Sequence, residues 1–198
     1  MTGMERELEL DLVSRIRAGE EEAFDAVHAE YNGRLFNFLA RLSRRRDVAE
    51  DLLEETWLRF VDRADRLKPD TRLGPFLFTV ARNLYISYCR SRMLEDAQSA
   101  ETIGLWPLGT QQPSPFDSTV ARETGQRLDA AIAALPAAHR EALLLVAVEG
   151  MMPAEAAAVC GITPEAMRQR LSRARAAIAD HLNDTEEAVL AGLKAVTT

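Results

Sequence analysis

Residues 162–178, ITPEAMRQRLSRARAAI, read as one capped helix with a narrow apolar stripe and four arginines. Met167, Leu171, Ala174 and Ile178 recur at i, i+4, i+7 and i+11, a face fit for a core. Arg168 and Arg175 edge that stripe on one side and Arg170 and Arg173 lie toward the other, while Glu165, Gln169, Ser172 and Ala176 point outward between them. Thr163 is placed as N-cap, with Pro164 at the first helical position. Upstream, Pro153 to Val159 is a short helical pattern joined to this one by Cys160-Gly161-Ile162-Thr163, a tight turn containing Gly. That is helix-turn-helix grammar, in which the second helix enters the major groove and the first braces across the backbone. Taken alone, an arginine-edged face is also what a solvated surface helix shows.

Outward from this motif the helical pattern covers most of the chain. Glu123 to Leu135 and Pro136 to Val148 complete a four-piece block with Pro153 to Val159 and Pro164 to Leu182. Glu5 to Met93 forms another, with breaks near Gly19, at Ser43 to Arg46 and at Leu67 to Gly74. Asp47 and Glu50 are spaced as a capping box for a helix running to about Arg66, and Pro75 is placed to open the next, up to about Arg92. Between Leu94 and Ala121 stand prolines 107, 113 and 115, glycines 104 and 109, the acids Glu95, Asp96, Glu101 and Asp117, and no base. This composition predicts a flexible acidic linker. Its cluster Ile103, Leu105, Trp106 and Leu108 is unusual for a free tether and points to docking, on this chain or on a partner. The expected fold is all-α: two small helical domains, 1–93 and 123–182, joined by a linker at 94–122 and followed by a tail at 183–198 that adds a short helix or frays.

At 198 residues with 47% hydrophobic content the chain can build real cores. Its net charge of −7 excludes nucleic-acid binding by bulk electrostatics, so any DNA contact must be local. Among 24 basic residues only Lys68 and Lys194 are lysines, which favours planar, bidentate contacts or else reflects coding bias. Cys89 and Cys160 show no metal-ligand or disulfide spacing and read as small core residues. The charged start and the short apolar run Ala142 to Val148 predict a cytoplasmic protein. His28, His139 and His181 are scattered, with no nucleophile grouping and no Gly-rich phosphate loop. Neither an enzyme nor a cofactor or metal site is expected.

Two further faces stand out. On the Asp47 to Arg66 helix, Val48, Ala49, Leu52, Leu53, Phe60 and Ala64 form a buried arc, edged by Trp57 and Val61. Opposite them Asp51, Glu54, Glu55, Asp62 and Asp65 surround Leu58. Acidic helix faces are usually only solvated, but a leucine ringed by carboxylates also suits docking onto a basic protein surface. On the Phe76 to Arg92 helix, Phe76, Leu77, Val80, Ala81, Leu84, Tyr85 and Tyr88 face inward, leaving Arg82, Asn83, Ile86 and Arg90 outside. No acid shares that side, so its arginines can meet phosphates and Asn83 a base edge.

The stretches AEDLLEETWLRF (49–60) and LGPFLFTVARNLYISYCRSR (73–92) resemble region two of bacterial sigma factors of the extracytoplasmic-function (ECF) group, within the sigma-70 family. Residues 134–178 resemble region four, and the most specific pieces are AED at 49–51, ARN at 81–83 and RLSRAR at 170–175. Departures from the family pattern include Glu54, Phe76, Ser87, Glu155-Ala156-Ala157 and Ala166-Met167. The resemblance implies a protein that binds core RNA polymerase and directs it to promoters. Polymerase contacts would be the clamp helices of the largest subunit, on Asp51, Glu54, Glu55 and Leu58, and the flap of the second-largest. It also implies minus-ten recognition and melting by Arg82, Asn83 and Arg90, with a flipped base captured by the loop holding Lys68 and Arg72. Arg168, Arg170, Arg173 and Arg175 would contact phosphates or guanines in the minus-thirty-five element, while Glu165, Gln169 and Ser172 read bases. An anti-sigma factor is an implied partner. Two rival classes are a stand-alone helix-turn-helix regulator, which leaves the ARN face and acidic arc unexplained, and a sigma mimic that sequesters an anti-sigma factor, which need not keep the RLSRAR arginines.

Overall fold

The computed structural model describes the backbone of residues 6–98 and 119–196 and the side chains of 6–94 and 127–182. The described residues hold helices and turns and no strand. Four helices make the first block: α1 (Arg6–Arg17), α2 (Glu21–Ser43), α3 (Arg46–Val61) and α4 (Leu73–Gln98), with a 3-10 turn at Ala64–Arg66. Four make the second: α5 (Thr119–Ala134), α6 (Ala137–Leu143), α7 (Pro153–Cys160) and α8 (Pro164–Val196).

The breaks near Gly19 and at Ser43 to Arg46 fall where expected, for local reasons, while the third opens earlier, after Val61. Gly19 ends the first helix in the left-handed region, at φ 81°. Arg44 takes the same region after α2, and its N–H donates to the Ala40 carbonyl. The Asp47/Glu50 capping box does not form. The helix starts one residue earlier, so Asp47 lies inside the first turn and pairs with Arg45, while Glu50 pairs with Arg46 at 2.8 Å. The helix also stops at Val61 rather than near Arg66. Residues 94–98 and 119–122, expected in the linker, continue α4 and α5, and α8 runs past Leu182 to Val196. All three extensions lack Gly and Pro until the helix has gained further turns, apart from Gly192 near the very end. The linker cluster Ile103 to Leu108 and the tail side chains lie outside the described residues.

In the first block Ile16, Leu35, Phe38, Leu39, Phe60, Leu73, Leu77 and Phe78 are fully buried. Phe38 and Phe78 meet edge to face at 5.2 Å, and Phe60 packs the same way against Phe24 and Trp57. Burying each such side chain contributes about 1.5–3 kcal/mol. The second block closes around Leu144, Leu145, Met167, Leu171 and Ala174. The expected helix from Pro136 to Val148 is divided: after Leu143 the chain widens into a π-type turn, Leu144–Val148, with the Glu149 N–H donating to the Leu144 carbonyl. The two blocks share one continuous core, α4 lying along α7 and α2 reaching α6.

Candidate nucleic-acid interface

Helix α8 is built as its stripe requires. Met167, Leu171 and Ala174 are buried and Ile178 packs at the core's edge, which turns Glu165, Gln169 and Ser172 out into solvent. The Thr163 hydroxyl accepts from the Ala166 N–H at 3.2 Å, the predicted N-cap. Gly161, at φ 64°, makes the left-handed turn between α7 and α8. Arg168, Arg173 and Arg175 are exposed, although Arg168 forms a surface ion pair with Glu165. Arg170 differs: it is half-buried and leans toward the Glu141 carboxylate of α6 at 3.8 Å.

Helix α4 buries Leu77, Val80, Ala81 and Leu84, with Phe76, Tyr85 and Tyr88 packed at the edge. Asn83 and Arg90 are exposed as expected. Arg82 is not free. Its Nε donates to Glu141 at 2.5 Å, with side chains only 16% and 8% exposed. The reading that no acid competes on this face is therefore corrected: none lies between Phe76 and Arg92, but α6 brings one. Cys160 lies against the same carboxylate, and burial, reinforced by Glu141, pushes its thiol up to about 12. Cys89, expected in the core, is only half-buried.

The loop before α4 carries Lys68 and Arg72, both exposed, and Arg72 forms an ion pair with Glu155 of α7. Two α1 residues hold this loop in shape. The buried Glu9 carboxylate accepts the Leu73 N–H at 2.7 Å, an acid at a helix N-terminus. Arg6 pairs with Glu9 at 2.7 Å and donates to the Asp70 carbonyl at 2.8 Å. On α3, Asp51 and Glu54 are exposed, Glu55 is half-buried and paired with Arg59 at 2.7 Å, and Leu58 and Val61 each show 57% of their surface. The acidic arc with an apolar anchor is thus present, and Val61 belongs to it rather than to the core.

Comparison with known proteins identifies the family. The Sigma-70 region 2 family model matches residues 27–94 and the Sigma-70 region 4 model residues 125–178. The RNA polymerase sigma factor CarQ of Myxococcus xanthus is 33% identical over 174 residues, 88% of this chain and 97% of its own length. The chain is an ECF-group member of the sigma-70 family. The ECF RNA polymerase sigma factor EcfG of Rhodopseudomonas palustris is likewise 33% identical, over 78% of this chain and 88% of its own. Among solved structures, the sigma factor RpoE in complex with the anti-sigma factor NepR from Bartonella quintana gives a TM-score of 0.69 at 28% identity, over 81% of this chain and 96% of that one.

In this sigma factor, regions two and four meet across a polar seam that lies within the shared core. Arg140 of α6 is buried and donates to the carbonyls of Ile132, Ala133 and Leu135 at 2.9–3.2 Å and to Leu42 at 3.2 Å. One guanidinium thus satisfies the open carbonyl ends of α5 and α2 together. Burial, and Arg44 nearby, pull its pKa below the ordinary arginine value. Arg41 and Asp129 add an exposed pair at 3.4 Å. Arg140, Glu141, Glu149 and Glu155 are seam residues that the sequence reading missed. The available signal was Arg140-Glu141 running directly into Ala142-Leu143-Leu144-Leu145, charges where a helix should be entering its core. No helix of the described residues is long and apolar enough to cross a membrane.

Proposed function

We propose that this sigma factor divides its work between three surfaces. Region two recognises and helps melt the minus-ten element through Asn83, Arg82 and Arg90, with Lys68 and Arg72 in the loop that receives an unpaired base. Region four reads the minus-thirty-five element in duplex form. There Gln169, Ser172 and Glu165 meet base edges, while Arg168, Arg170, Arg173 and Arg175 position the helix on phosphates. The Glu165–Arg168 pair is no obstacle, because an exposed ion pair contributes at most about 1 kcal/mol and exchanges readily. Leu58, rimmed by Asp51, Glu54 and Glu55, docks on the clamp helices of the largest polymerase subunit, and region four meets the flap of the second-largest. These partners place the protein in the cytoplasm. An anti-sigma factor as regulator is supported by the likeness to RpoE solved with NepR.

The observation that carries this reading is the outward ridge of α8, whose polar residues are exposed while its stripe is buried in region four. A chain of net charge −7 gains specificity from two weak DNA modules on one tether, held in register by polymerase. The test is run-off transcription with purified core polymerase on a promoter library. Initiation that depends on this protein is expected, and its absence would sink the reading. A stand-alone regulator would instead bind duplex DNA tightly without polymerase.

A further inference from the structure

The loop before α4 is held from outside its own sequence. Lys68 to Thr71 closes as a turn, the Thr71 N–H donating to the Lys68 carbonyl at 3.0 Å, with Pro69 at its second position. Leu67 and Leu73 are buried and anchor the loop at both ends. The stretch between them is gripped by α1. Glu9 stands on the buried face of that helix with Leu12, Val13 and Ile16, and is itself only 5% exposed. One of its oxygens accepts the Leu73 N–H at 2.7 Å and the other accepts from Arg6 Nη1 at 2.7 Å. Arg6 Nη2 in turn donates to the Asp70 carbonyl at 2.8 Å, and Nη1 reaches the Thr71 carbonyl at 3.4 Å. A carboxylate withdrawn from water keeps such partners, since losing one leaves an uncompensated charge. The start of α4, Glu9, Arg6 and the loop backbone therefore form one hydrogen-bonded chain. It lies wholly within the first block and originates upstream of residues 27–94, the part that the region 2 model matches.

We infer that Arg6 and Glu9 are positioning residues for promoter melting: by fixing the backbone of residues 70–73 they set how strongly the loop holds the unpaired minus-ten base. This rests on the proposed role of that loop. A base turned out of the stack is best held by a pocket already in shape, because its capture has to offset the cost of unstacking. A loop pinned only at Leu67 and Leu73 adopts the receiving shape for part of the time, and its apparent affinity for the base falls by that fraction. Neither α1 residue touches DNA in this scheme. Their effect is therefore confined to the one base the loop receives, and a strand lacking that base does not register it.

The experiment uses holoenzyme assembled from the full chain and core polymerase. A fluorescent single strand carries the minus-ten non-template sequence of a promoter recovered by run-off, and each of its bases in turn is replaced by an abasic site. The position whose base-over-abasic preference is lost in a Lys68→Ala, Arg72→Ala double variant is the one the loop serves. At that position Arg6→Met, which keeps the aliphatic stem and loses the donors, is expected to lower the base-over-abasic affinity ratio about fivefold, as the competent fraction of the loop falls to roughly one fifth. Glu9→Gln has one carbonyl oxygen for two donors and is expected to act in the same direction. Arg6→Lys, whose ammonium reaches one loop carbonyl, is expected to recover part of the ratio. Affinity for the abasic strand and for core polymerase should stay at the parent's value in Arg6→Met, whose side chain is 42% exposed and outside the core. An unchanged ratio in both α1 variants, at a position where the loop variant abolishes it, would overturn the inference and leave the loop assignment standing. Equal losses on base-containing and abasic strands would also overturn it, since a general structural defect weakens both alike. If no position responds to the loop variant, the loop assignment itself has failed and the inference falls with it.

Discussion

Arg34 of α2 grips Glu149 twice, its Nε donating to the carboxylate at 3.0 Å and its Nη2 to the backbone carbonyl at 3.2 Å. The π-type turn after α6 brings Glu149 to this position, where its side chain is only 4% exposed. Burial pushes the Glu149 carboxyl above the usual range, and Arg34 offsets this only in part. The folded state thus holds the Glu149 proton more tightly than the unfolded state does, so stability falls as pH rises from the ordinary carboxylate pKa through the raised one. The stability advantage of the parent over Glu149→Gln is expected to be larger at pH 5 than at pH 7. Thermal unfolding of both proteins at the two pH values checks it, and an advantage that grows with pH contradicts it.

Arg140 has the most demanding environment in the seam, since its removal leaves the carbonyl ends of α5 and α2 without donors. Replacement by Met keeps volume and loses every hydrogen bond. The expected loss is about 3 kcal/mol from stranded buried acceptors. That corresponds to a fall of roughly 6–12 °C in Tm for a chain of this size. A change within experimental error would show that water or backbone adjustment satisfies those carbonyls.

Leu58 is an apolar side chain that the fold does not need, so Leu58→Ala is expected to leave Tm unchanged. Its affinity for core polymerase should drop about tenfold or more, the behaviour of an interface anchor. Titration of labelled sigma factor with core enzyme reads this directly. Equal affinity of parent and variant would return the acidic arc to the status of a solvated face.

Gln169 and Arg175 are both exposed on α8 but are assigned different work. Gln169→Ala should flatten discrimination at one base pair of the minus-thirty-five element by about 1–3 kcal/mol, whereas Arg175→Ala should weaken all sequences alike and reduce the salt slope by about one. Binding of holoenzyme to a substituted promoter series at two salt concentrations separates the two. Unchanged base preference in the Gln169 variant would reassign the ridge.

Much of this fold was legible because it depends on local pattern. The Met167, Leu171, Ala174 stripe has a period that only a helix can bury, Gly161 marks a turn that other residues resist, and Thr163 caps as its hydroxyl allows. The outward positions of Asn83, Arg90, Gln169, Ser172 and Leu58 follow from the same periodicity. The capping box at Asp47 misled because the motif needs that residue at the cap, and a start at Arg46 puts it inside the first turn instead.

By itself the sequence determined the helices, the apolar face of each and the polar residues left outside, since these rest on interactions within a few residues of one another. Only the tertiary structure decided what those outward residues meet. Arg82 and Glu141 are separated by 59 positions and Arg34 and Glu149 by 115, distances over which helical period says nothing about contact. Packing α4 against α7 and α2 against α6 brings acids of region four onto arginines of region two, and a guanidinium drawn out of water donates to them because it cannot stay unpaired in a dry seam.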